Sequence, residues 1–120
     1  PGHHRRRLQA LTDLDVQENQ ARRLLNDLDH FRAWQSGIEG RPIPESEAAR
    51  RWLDDVYLPA LAAIPAAGLA KLDRAEIFHQ LLEHRWYMSE RAGHDLQLEK
   101  VVPSYVEQVL AKLPAPAVAR

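Results

Sequence analysis

The sequence predicts an all-α fold, a compact bundle of four main helices preceded by a short N-terminal one. Three observations predict it. Apolar residues recur at spacings of three and four in four long stretches; no stretch alternates apolar and polar residues as a half-buried strand does; and the stretches are bounded by residues that start and stop helices. The composition agrees. Of 120 residues, 45% are apolar and 28% charged, an ordinary globular balance that is neither that of a disordered chain nor that of a membrane span.

The first element, His3 to Leu11, is a short basic helix anchored by Leu8 and Leu11, and it needs a partner to be stable. Thr12-Asp13-Leu14 makes a tight connection. Asp15 with Glu18 has the spacing of a capping box and opens a second helix that runs to about Gln35. Ala21, Leu24, Leu25, Leu28 and Phe31 share one face of it, whereas Arg22, Arg23, Asn26, Asp29 and His30 point elsewhere. Gln17 lies in line with the apolar face, so its amide is expected to cap or bond a neighbouring backbone group. Ser36-Gly37 ends the helix.

Gly37 to Pro44 is the one clear loop, with two glycines and two prolines. Its Ile38-Glu39-Gly40-Arg41 coincides with a protease recognition sequence, but Pro42 after Arg41 opposes cleavage. A third helix begins at Glu45 and carries Ala49, Trp52, Leu53, Val56, Tyr57, Ala60 and Ile64 at helical spacing. Pro59 lies inside it and removes the N–H that would bond Asp55, which predicts a kink or break. Pro65 to Gly68 finishes the segment.

Leu72 to Gly93 is the long central helix. Asp73 and Glu76 form a capping box, Leu72 and Ile77 occupy the positions of a hydrophobic staple, and Gly93 can close the helix in the left-handed conformation. At about 100° per residue, Ala75, Ile77, Phe78, Leu81, Leu82, Trp86, Met88 and Ala92 fall on a core half. Glu76, His79, Glu83, Tyr87 and Glu90 form a polar stripe on the other. Arg85 projects from the apolar half, so it is expected to be more buried than a typical arginine and to pair with a carboxylate of another helix, Asp27, Asp54 or Asp55. Leu98, Val101, Val102, Tyr105, Val106, Val109, Leu110 and Leu113 make a last helix, with Pro103 tolerated near its start. Residues 1–113 are thus expected to form a single domain with Leu24, Leu25, Leu28, Phe31, Trp52, Val56, Phe78, Leu81, Leu82, Tyr105, Val106, Val109 and Leu110 in one core. Residues 114–120 are expected to be a flexible tail.

Several function classes are disfavoured. There is no cysteine, so disulfide and thiolate chemistry are excluded. No serine sits in a glycine elbow, and no phosphate-cradling glycine motif occurs. Glu76-x-x-His79 and Asp27-x-x-His30 have the spacing of helical di-iron ligands, but both pairs lie opposite the leucines, whereas such ligands point inward. His79 to His84 reads H-x-x-x-E-H and matches neither ordinary zinc-protease arrangement. No metal and no cofactor are therefore expected. The net charge of −1 gives no general pull toward nucleic acid or acidic lipid.

The basic cluster Arg5, Arg6 and Arg7 can approach Arg22 and Arg23 across the tight turn in the manner of a helix-turn-helix. Asp13, Asp15 and Glu18 at the start of the second helix would face the phosphates, so nucleic-acid binding stands only as a second alternative. No apolar run reaches the length of a membrane span, and PGHHRRRL is not followed by a signal core. A cytoplasmic setting is expected, and the abrupt start is that expected of a piece of a longer protein.

Gly2-His3-His4, the run Asp15-Val16-Gln17-Glu18-Asn19-Gln20-Ala21-Arg22-Arg23-Leu24-Leu25-Asn26-Asp27, Trp52-Leu53, Phe78-His79, Leu82 through Glu90, Tyr105-Val106 and Val109-Leu110 extend over most of the chain. In these stretches it resembles the C-terminal region of an actinobacterial family, domain of unknown function 4032, whose longer members carry a lipopolysaccharide-kinase-like region upstream. The resemblance implies that Gly2-His3-His4 is native sequence and that the domain works attached to a larger, nucleotide-binding neighbour. It implies no catalytic residue here, because the aspartate motifs of a kinase are absent.

The expected function is that of a non-catalytic helical interaction or regulatory domain of a kinase-like protein. The expected partner is the upstream kinase-like domain, in the same protein or another. The expected surface is Glu76, His79, Glu83, Arg85, Trp86, Tyr87 and Glu90, a mix of aromatic and charged groups that suits docking. The first alternative is part of an active site completed by the missing upstream region, with His79 as base and Glu83 orienting it.

Overall fold

Helix ends in this chain are set by a few local bonds. In the computed structural model, Asp73 accepts from the Glu76 N–H at 2.8 Å, and Gly93, at φ 77°, donates its N–H to Ser89 O at 2.9 Å. These bonds fix the long helix α6, Arg74–Ala92, at the two residues expected from sequence. The structure describes residues 1–116, and every regular element among them is helical. Before α6 come α1 (His3–Thr12), α2 (Glu18–Glu39), α3 (Glu45–Trp52), a π turn (Leu53–Tyr57), α4 (Leu58–Ala62) and α5 (Ala66–Leu69). After it come α7 (Leu98–Gln108) and a 3-10 turn (Leu110–Lys112). The all-α class is as expected. Of the tail expected over 114–120, residues 117–120 lie outside the described residues and 114–116 carry no helix. The chain forms two compact units, Pro1–Tyr57 and Leu58–Arg120.

In the first unit α1 packs on α2 and α3, and α2 on α3. Leu8, Leu24, Leu25, Leu28, Ile43 and Trp52 are all at most 1% exposed. Thr12 ends α1 from within: its hydroxyl donates to Leu8 O at 2.8 Å and accepts from the Leu14 N–H at 3.2 Å. Asp13 then turns the chain at φ 65°.

The start of α2 differs from expectation. Its N-cap is Gln17, and Gln20 accepts from the Gln17 N–H at 3.2 Å. Asp15 and Glu18 are drawn to α1 instead, Asp15 by the Arg5 guanidinium at 2.9 Å. The end of α2 also differs, because the helix runs through Gly37 and closes at Gly40, φ 66°. The loop that follows is tied back onto α2: Arg32 Nε donates to Ile43 O at 2.7 Å and the Ile43 N–H to Ser36 Oγ at 3.2 Å.

Four residues then close a ring, of which only Glu47 and Arg51, one turn apart on α3, are linked by a local pattern. Arg41 Nη2 lies 2.9 Å from Glu39 and 3.0 Å from Glu47. Arg51 pairs with the same two carboxylates, at 2.6 Å from Glu47. Both ends of Glu39-Gly40-Arg41 are therefore engaged, which with Pro42 makes native cleavage after Arg41 slow; trypsin digestion followed by mass spectrometry should show Arg22 or Arg23 cut before Arg41.

Inside the same unit, the indole N–H of the fully buried Trp52 donates to Asp27 Oδ2 at 2.9 Å. Asp27 thus serves a tryptophan. Asp27→Ala leaves the indole donor without that acceptor, and about 1–3 kcal/mol of stability should be lost. Asp27→Asn keeps an acceptor and should recover the indole's share in the same urea titration.

Of the kink or break expected at Pro59, no break appears: the π turn Leu53–Tyr57, with its longer bonds, comes just before the proline, and α4 carries Pro59 as its second residue. In the second unit α4 packs on α6 and α7, and α6 on α7. Ile77, Phe78, Leu81, Tyr105 and Leu110 are fully buried. Leu82, Val106 and Val109 are half-buried, as are Phe31 and Val56 of the first unit.

The short α5 was not expected. Its Gly68 admits a close approach, because a Cβ there would stand 2.7 Å from Leu110 Cδ2. Pro103 lies inside α7 and gives no N–H to Glu99. The last helix stops earlier than its apolar spacing suggests, and Lys71 holds the 3-10 turn beyond it. Lys71 Nζ donates to Leu110 O and Leu113 O, both at 2.9 Å. Lys71→Met should cost about 1–2 kcal/mol and speed hydrogen exchange at the Lys112 and Leu113 amides more than elsewhere in α6 and α7.

Candidate interaction face

α6 buries Ala75, Ile77, Phe78, Leu81 and His84. Trp86 stands about 140° round the helix from Leu81, and it is 67% exposed, not in the core half where its spacing alone suggested it. His84, which spacing assigned to neither half, is buried instead. It is only 7% exposed, its Nε2 lies 2.9 Å from Ser104 Oγ on α7, and burial lowers its pKa. Tyr105, which donates to Gln80 Oε1 at 2.8 Å, is pushed up to about 12 by burial and by the Glu76 charge.

The polar stripe therefore divides. Glu76 and His79 are half-buried, as is Arg85, while Glu83, Trp86, Tyr87 and Glu90 are exposed. His79 Nε2 is 3.6 Å from Glu83 Oε1, too far for a hydrogen bond, and His79 Nδ1 is buried with no hydrogen-bond partner. That arrangement favours the tautomer with the proton on Nε2, since a bare buried acceptor costs less than a buried donor without an acceptor.

Tyr87 is engaged by Arg91, whose guanidinium donates to the phenol oxygen at 2.8 Å and lies 5.4 Å from the ring centroid. Trp86 instead lines a shallow depression with Ser89, Glu90, Gly93, His94 and Asp95. His94 and Asp95 were not anticipated. The signal was Gly93: its left-handed turn brings the next two residues back beside the helix end. Ser89 fixes the turn by accepting the Leu96 N–H at 3.1 Å.

The basic cluster is largely satisfied inside the first unit. Arg7 Nη2 lies 3.0 Å from Asp29 and 2.5 Å from Glu45; Arg5 pairs with Asp15; Arg6 donates to Pro1 O at 2.9 Å. Glu18 accepts the Arg5 N–H at 2.9 Å, the His4 N–H at 3.3 Å and His4 Nδ1 at 2.5 Å, capping the start of α1 from another helix. Those bonds, the Arg5 amide first, hold its carboxyl down at about 2. Arg22 and Arg23 are exposed on α2. Among the described residues no three His, Asp or Glu side chains come together as a metal site, and no helix is long and apolar enough to cross a membrane.

The family model of the domain of unknown function DUF4032 matches residues 1–110. The chain belongs to this family. The match takes in α1 through α7, so the exposed end of α6 and the Glu18 cap of α1 both lie within the DUF4032 region. Neither a curated protein nor a solved structure matches the chain.

Proposed function

We propose that this DUF4032 chain is a non-catalytic interaction or regulatory module of a larger, kinase-like actinobacterial protein, and that it docks onto the upstream kinase-like region through the exposed end of α6. The observation that carries the reading is Trp86, a large aromatic left 67% exposed beside Glu83 and Glu90 on a well-capped helix. Exposed aromatics flanked by charge are the usual material of binding hot spots. The alternative of an active site built on His79 and Glu83 loses support from the buried Nδ1 and the 3.6 Å separation. Nucleic-acid binding loses support from the carboxylates already paired with Arg5 and Arg7.

The test compares two variants of this chain, each produced beside the kinase-like region as a separate polypeptide. Trp86→Ala should reduce co-purification of the kinase-like region at least about tenfold, the scale of a hot-spot truncation. His79→Ala with Glu83→Ala should leave any turnover measurable. Loss of all turnover with co-purification intact would favour the enzyme reading instead.

A further inference from the structure

We infer that the depression beside Trp86 receives an arginine side chain from a basic segment of the protein partner. The inference rests on the docking reading above and adds the chemistry of what is docked. An exposed indole face attracts a guanidinium through its quadrupole, and arginine can stack on it while its planar fork meets a carboxylate. Both elements are present: Trp86 is 67% exposed and lines the depression with Glu90 and Asp95. Glu90 is one turn beyond Trp86 on α6, the spacing that puts two side chains side by side. Asp95 comes from the turn that Gly93, at φ 77°, and the Leu96-to-Ser89 bond of 3.1 Å hold against the helix.

Arg91 at the same end of the helix does not fill the role, because it is turned onto Tyr87, at 2.8 Å from its hydroxyl. The depression also lies at the C-terminal end of the 19-residue α6, where the unpaired carbonyls add partial negative charge that favours a cation. One indole is too little for an aromatic cage around a methylated ammonium. Arginine, which adds bidentate pairing to stacking, fits the set better than lysine.

The probe is a short amidated peptide of five arginines, titrated at low salt into the full chain with the indole N–H signals of the tryptophans followed by NMR. A lysine peptide and a glutamate peptide of equal length serve as comparisons. The expected result is a saturable shift of the Trp86 indole and of the Glu90 and Asp95 amides, with the Trp34 and Trp52 indoles unmoved. Binding should weaken about tenfold with lysine, vanish with glutamate and weaken at least about tenfold in Glu90→Gln with Asp95→Asn.

No saturable shift at Trp86, an equal shift at Trp34, or undiminished binding by the double variant would overturn the inference. The two readings fail separately. If the kinase-like region binds in a Trp86-dependent way and the arginine peptide does not, docking stands and the arginine pocket falls; if only the peptide binds, the pocket stands and the partner is different.

Discussion

Replacing Trp52 by alanine is expected to lower the melting temperature by roughly 15–30 °C. The side chain is fully buried and its indole N–H is bonded to Asp27 at 2.9 Å. Truncation therefore opens a cavity and also removes one donor to a carboxylate, and the cavity term alone is about 3–5 kcal/mol. A domain is stable by only about 5–15 kcal/mol, so much of the margin is lost. The other two tryptophans provide the control. Trp34 is 62% and Trp86 67% exposed, and alanine at either should change stability by no more than about 0.5 kcal/mol. Calorimetric melting of the three variants checks both halves; a Trp86 variant that melts as low as the Trp52 one would remove the basis for calling the end of α6 a free face.

Acid should destabilise the chain in two stages. Burial places the folded-state pKa of His84 below its ordinary 6.5, so the unfolded chain takes up that proton first and stability begins to fall as pH drops through 6.5. The second stage belongs to carboxylates. Glu18 is held at about 2 against an ordinary 4.5, and Asp15 and Glu39 are lowered by Arg5 and Arg51. Their stabilisation is fully present above about pH 4.5 and is lost as pH falls toward 2. Urea titrations between about pH 8 and pH 3 should show an uptake of up to about one proton on unfolding in the upper window and more in the lower. His84→Gln should flatten the upper stage and Glu18→Gln reduce the lower. Stability unchanged between pH 6.5 and the carboxylate range would contradict the buried histidine.

What the sequence revealed was what local bonds decide. Asp73 and Gly93 bound α6 because a cap satisfies backbone groups within a turn, and that chemistry is written in adjacent residues. The start of α2 was misread because two overlapping patterns fit, Asp15 with Glu18 and Gln17 with Gln20. Only the position of α1, whose Arg5 takes Asp15 and whose first amides take Glu18, decides between them. The end of α2 offered two glycines, and the choice of Gly40 depends on Ile43 being tied back to Arg32 and Ser36. Trp86 was misplaced for a similar reason. Apolar character suggested a buried Trp86, but it lies too far round the helix from Leu81; His84, given no place by spacing, is buried where Ser104 of another helix meets its ring nitrogen. The ring of Glu39, Arg41, Glu47 and Arg51 joins two helices through a loop, and only its Glu47–Arg51 edge, an i,i+4 pair, is written along the chain.

The candidate site was legible in part. The stripe on α6 was visible from spacing, yet its exposed portion is only the end near Glu83, Trp86 and Glu90, and its acidic floor at Asp95 depends on how the chain leaves Gly93.

The most direct test of the docking account is calorimetry between this chain and the separately expressed kinase-like region proposed as its partner. The account predicts a one-to-one complex with a dissociation constant at or below about tens of micromolar, weakened at least about tenfold by Trp86→Ala, since a tether raises effective concentration only to about the millimolar range. Absence of heat and of complex at those concentrations, or binding indifferent to Trp86, would contradict it.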